Sequence, residues 1–97
     1  MKERADRSWL TERVSVEEAE KASMPTAQQL ARNPKLPNKP FAFHNEEWKS
    51  LKLQIVDGDE LWYFCSPPQT WRDLAGRAGL AVVRDGDVVH TMVVLMN

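Results

Sequence analysis

The apolar positions form their clearest pattern between residues 80 and 96. Two largely β-branched runs, 80–83 and 88–96, flank Arg84-Asp85-Gly86-Asp87. Asp-Gly is the preferred loop of a two-residue type I′ turn, so the pattern predicts a hairpin pairing Arg84 with Asp87 and Val83 with Val88. An unbroken register then sets Val82 against Val89 and Leu80 against Thr91. One face would carry Ala81, Val83, Val88, His90, Met92, Val94 and Met96; the other, Leu80, Val82, Val89, Thr91, Val93 and Leu95. Both faces are apolar. Glu60-Leu61-Trp62-Tyr63-Phe64-Cys65 is aromatic-rich and uncapped, which predicts a further strand, ended by Pro67-Pro68.

Helical signals lie elsewhere. Ser15 with Glu18 has capping-box form and predicts a helix over about 16–23, stopped by Pro25. Thr26 suits the cap of a second short helix through Arg32. Residues 45–56 fit two patterns. Asn45 as cap, Glu46 and Glu47 in the first turn, and Trp48, Leu51 and Ile55 suit an amphipathic helix; Leu51, Leu53 and Ile55 also alternate as a strand would. Cap, first turn and spacing together favour the helix. Thr70-Trp71-Arg72-Asp73 again has capping-box form and predicts one helical turn before Gly76. Prolines at 34, 37 and 40 predict an extended, polyproline-like connector, whose stacked rings also suit an aromatic-lined groove.

These elements define an α+β fold: a small antiparallel sheet of about three strands, one amphipathic helix, and a helical, partly mobile N-terminal arm. Residues 1–40 form the polar arm and Pro-rich connector, and 41–97 the core domain. An antiparallel sheet in a small protein ordinarily buries one face and wets the other. Here both faces need cover, and each large apolar side chain left in water forgoes roughly 1.5–3 kcal/mol. The helix at 46–56 covers one face. The other calls for the arm, a second copy of the chain, or another protein. The expected function is a non-catalytic protein-interaction module acting through an apolar sheet face or edge. Trp9, Trp48 and Trp71 are the aromatic candidates for contact, and Met92, Val94 and Met96 the strand candidates.

Composition narrows the alternatives. The 97 residues support one small domain. Residues 1–40 hold 8 basic and 6 acidic side chains, net +2, and 41–97 hold 5 and 8, net -3, which sum to the formal charge of -1. That balance makes nucleic acid an unlikely partner. The single cysteine, Cys65, excludes an internal disulfide and a multi-cysteine zinc site. No apolar run nears the roughly 18 residues of a membrane span, and no signal-peptide core follows Met1-Lys2-Glu3-Arg4, so a cytoplasmic protein is expected. His44, Cys65 and His90 lack metal-ligand spacing, and no cofactor is expected. Cys65 as a nucleophile would need a neighbouring histidine; its apolar strand predicts a buried, inert thiol.

The main chemical alternative is an anion or nucleic-acid binder centred on Gly76-Arg77-Ala78-Gly79. Left-handed backbone at the glycines would aim N–H groups at an anion, with Arg77 and Arg72 supplying charge. The other reading is a glycine-rich lead into the next strand, with Arg77 paired to Asp73 or Glu60. Beyond 45, Gly58-Asp59-Glu60-Leu61-Trp62, Gly76-Arg77-Ala78-Gly79, Val83-Arg84-Asp85-Gly86 and Met96-Asn97 form a pattern of their own. It resembles a group of short bacterial proteins of uncharacterised function that end in this way. The resemblance covers about 45–97, leaves the arm unmatched, and implies no activity.

Overall fold

Among the described residues the sheet has four strands where about three were expected, and the additional one comes from the arm. The computed structural model describes residues 5–97. The strands are β1 (Leu10–Val14), β2 (Glu60–Cys65), β3 (Arg77–Arg84) and β4 (Asp87–Met96), antiparallel in the order β1-β2-β3-β4. The helices are α1 (Val16–Ser23), α2 (Ala27–Arg32), α3 (Asn45–Leu53) and α4 (Pro68–Arg72). The fold class is therefore α+β. β1 escapes a periodicity reading because its pairing shifts between Leu10 and Glu12. Thr11, Glu12 and Arg13 are all exposed there, and only Leu10 and Val14 are half-buried.

The cap signals translate closely. Ser15 accepts from the Glu18 amide while Glu18 reaches back to the Ser15 amide, and Thr26 and Gln29 repeat the arrangement at α2. The helix reading of 45–56 holds for Asn45–Leu53, but Asn45 is its first residue rather than its cap. The Asn45 side chain instead donates to the Pro40 carbonyl at 3.0 Å. At α4 the first residue is Pro68, so Thr70 lies inside the helix; its hydroxyl bonds the Pro67 carbonyl at 2.6 Å. The connector is not simply extended. Asn33 turns it, its side chain accepting from the Lys35 amide and its carbonyl from Leu36. Phe41 and Ala42 then take left-handed backbone at φ 62° and 45°, a strained conformation held by the Phe41 ring packing 4.8 Å from that of Trp48.

The hairpin turns on Asp85 and Gly86, both at positive φ, and pairs Arg84 with Asp87 and Val83 with Val88 as the Asp-Gly signal predicts. Beyond Val83 the expected register fails. Val82 faces His90 and Leu80 faces Met92, because a bulge absorbs Val89; a second irregularity follows between Gly79 and Ala78. One extra residue moves every following side chain to the opposite face. Met92 therefore shares a core with Leu80 and Val82 rather than with Ala81 and Val83.

Both sheet faces are covered by the chain itself. On one, Ala19 of α1 and Trp48 and Leu51 of α3 pack with Leu61, Leu80, Val82 and Met92. On the other, Ala5 packs with Phe64, Ala81, Val83 and Val88, flanked by Trp9, Leu10, Trp62 and Val93. The arm thus docks through β1, Ala5 and Ala19.

An ion pair locks the start of β2 to the hairpin. Arg84 donates twice to Asp59, at 2.9 Å each, and the Val56 amide adds a third bond at 3.0 Å. These bonds, the Arg84 guanidinium foremost, lower the Asp59 carboxyl to about 2. Because the folded pKa lies below the unfolded one, near 4, this stabilisation is complete above about pH 4 and is lost as pH falls toward 2. Asp59→Asn should therefore lower the urea midpoint at pH 6 and differ much less from wild type at pH 2. An unchanged gap at the two pH values would remove the ion pair as its source.

Candidate interaction edge

With both faces packed, the geometry draws attention to the ends of the sheet. β1, at one end, is five residues long, displaced in register, and shows Thr11, Glu12 and Arg13 to solvent. Short, charged and irregular strands resist addition of a further strand. β4, at the other end among the described residues, runs for ten residues and pairs with β3, and its Val88 and Thr91 have further partners of their own. Residues 88–96 contain no Lys, Arg, Asp, Glu or Pro. Its irregularities lie near its ends, leaving His90–Val93 in continuous register with Val82–Gly79. Leu95 and Met96, at its far end, are 58% and 64% exposed.

α3 lies nearer β4 than any other strand, and a groove of about 430 Å³ separates the helix from the regular part of β4. The strand contributes His90, Thr91, Met92 and Val93, the helix Glu47, Ser50 and Leu51, and Gln54 just past the helix end closes the row. Once Trp48 and Leu51 turn inward, 47, 50 and 54 follow the helical spacing along one flank. This polar row was the site feature that a search for apolar contact residues passes over. Its sequence signal is the i, i+3, i+7 spacing beside a fixed apolar row.

The expected contact residues divide. Trp48 is fully buried and Met92 4% exposed, so neither can meet a partner in the folded chain. Trp9 is half-buried and stacked on Phe64 with ring centroids 6.4 Å apart. Trp71 is half-buried, donates from Nε1 to the Ser66 carbonyl at 3.1 Å, and lies against Gly76. Val94 is half-buried against the helix-side core. Met96, with Leu95, reaches solvent.

The Gly76–Gly79 segment opens β3 rather than forming a left-handed anion loop, since neither glycine has positive φ. Their small size has a packing cause: a Cβ at Gly76 would strike the Trp71 ring, and one at Gly79 the Met92 carbonyl. The Arg77 amide donates to Ser66 Oγ at 2.9 Å. Arg72 donates to Gln69 within α4. Contrary to expectation, Cys65 is exposed, because it ends β2 beyond the packed centre of the sheet. His44 bonds Glu47 at 3.0 Å, whereas His90 lies on β4. Among the described residues no group of three His, Cys, Asp or Glu is placed to hold a metal ion. Among those residues no helix is long and apolar enough to cross a membrane.

No family model, curated protein or solved structure matches the chain.

Proposed function

We propose that the protein is a non-catalytic interaction module that works by strand addition along the outer edge of β4. The observation that carries this reading is a ten-residue terminal strand of the sheet whose residues 88–96 lack charge and proline. Proteins that must keep such an edge unpaired place Lys or Pro on it, or shorten it, as β1 does here. A strand added at the far end of β4, toward the exposed Leu95 and Met96, gains backbone hydrogen bonds. The sheet faces recede from this reading because the arm and α3 already fill them.

The test is the native mass of the chain in an extract of its own cells, compared with the double variant Leu95→Lys/Met96→Lys. Both positions are exposed, so circular dichroism should stay unchanged while two cations guard the edge. Wild type should run above 11.1 kDa and the variant at 11.1 kDa. A wild-type mass of 11.1 kDa, or a larger assembly that the variant leaves intact, would overturn the reading.

A further inference from the structure

We propose that the cavity lined by α2, the proline connector and the turn into α3 binds a small carboxylic acid with an apolar body, its carboxylate held by Arg32. This site does not depend on the strand-addition reading. The cavity has a volume of about 430 Å³, and β4 closes it through Val94. That size lies in the lower part of the range of small-ligand sites. Pro25, Leu36, Phe41, Ala42 and Val94 supply apolar walls. All five are half-buried, so part of each is left for a ligand to cover. Phe41 and Ala42 are also the two successive residues in left-handed backbone, at φ 62° and 45°. Strain at non-glycine residues concentrates at ligand sites, and here it shapes a wall of the cavity.

The polar groups of the cavity favour an anion. Among the described residues no Asp or Glu lines it, and Arg32, which does, makes no ion pair. The Gln29 side-chain oxygen already accepts from the Thr26 amide at 2.9 Å, and that of Asn33 from the Lys35 amide at 3.2 Å. Each side chain therefore keeps its NH₂ as the unused end, and an NH₂ only donates. His44 lines the cavity as well, but its acidic partner Glu47, 3.0 Å from Nδ1, lines the groove beside β4 instead. A guanidinium flanked by amide donors is complementary to an anion. One fixed positive charge balances one carboxylate, whose two oxygens match the guanidinium fork. A phosphate monoester, with nearly two negative charges, would leave one unbalanced. The walls add a second requirement, because a head group without an apolar body buries nothing against them. The modest volume suits a free acid rather than the end of a polypeptide.

The experiment is calorimetric titration of the purified full-length protein with 3-phenylpropanoate, 3-phenylpropanol and acetate. The phenylpropanoate should saturate one site below about 10 mM, in keeping with so small a ligand. The alcohol keeps the body without the charge and should bind about tenfold more weakly. Acetate keeps the head without the body and should not saturate. Arg32 is exposed at the end of α2, so Arg32→Gln should keep the wild-type circular dichroism. It should weaken the acid about tenfold and leave the alcohol unchanged. Leu36 lies on the connector outside both packed cores, so Leu36→Glu should also fold, and its carboxylate in the wall should abolish binding of the acid. No saturation by the acid, equal affinity for the alcohol, or an acid affinity indifferent to Arg32→Gln would each overturn the proposal. An acetylated dipeptide ending in leucine that binds more tightly than the phenylpropanoate would overturn the assignment to a free acid.

Discussion

Trp48→Ala should cost about 3–5 kcal/mol, the range for truncating a fully buried aromatic side chain. For a chain of this length total stability is of order 5–15 kcal/mol, so the variant should retain little margin. The position is more than a packed ring. Its Nε1 donates to Glu20 at 2.8 Å, which ties α3 to α1, and its ring holds Phe41 at the strained turn leading into α3. Lys52 reaches the same Glu20 carboxylate at 2.7 Å, and the Lys52 and Trp48 bonds together lower the Glu20 pKa. Truncation therefore releases the core, the connector and the docked arm at once. In urea the midpoint should fall by roughly 2–3 M. Trp48→Phe separates the contributions: it keeps most of the apolar volume, loses the indole N–H, and should let the Glu20 carboxyl rise toward its ordinary value. A Trp48→Ala loss below about 1 kcal/mol would mean that this ring does not organise the fold.

Local chemistry explains why some of this was readable from the chain. Ser15/Glu18, Thr26 and Asp85-Gly86 act over two to four residues, and each produces the structure its chemistry favours. Trp48, Leu51 and the acidic first turn identify α3 for the same reason. What escaped depends on tertiary pairing. β1 exists because Leu10 and Val14 meet Phe64 and Leu61 across the sheet, and nothing in Leu-Thr-Glu-Arg-Val alone demands a strand. The bulge at Val89 leaves the turn untouched, yet it moves Met92 from a supposed contact surface into the core. A run in which both faces are apolar gives no polar position from which the slip might be detected.

The need to cover both sheet faces was legible in the sequence, and the residues that meet it were not. A two-sided apolar hairpin signalled surface in need of cover, and that cover comes from within the chain. Ala5 and Trp9 close one face, and Ala19 with α3 closes the other. Tryptophan content pointed inward, to Trp48, more than outward. The residues that remain available are less conspicuous: Leu95 and Met96 at the strand end, and the row Glu47, Ser50, Gln54 beside it.

Gly79→Ala should be the most disruptive small substitution in the sheet, and its damage should concentrate in the outer half of β4. A Cβ at this position would lie 1.9 Å from the Met92 carbonyl oxygen and 3.0 Å from the Val93 Cα. These are backbone atoms of the neighbouring strand, so no rotamer change relieves the clash. Either the β3–β4 ladder opens or the irregularity that follows Gly79 is rebuilt, at or above the roughly 1–3 kcal/mol typical of overpacking. Gly58→Ala is the matched control. Gly58 has φ of 90° but open space within 4 Å, so it should lose only about 1 kcal/mol, through backbone strain. Amide exchange then localises the effect. In Gly79→Ala, residues 92–96 should exchange faster while Val83 and Val88, beside the intact turn, keep more of their protection. Leu95 and Met96 sit on the segment released, so the proposed association through β4 should weaken together with that protection. If Gly79→Ala matches Gly58→Ala in stability and leaves 92–96 protected, the close approach of β3 and β4 at this point is wrong.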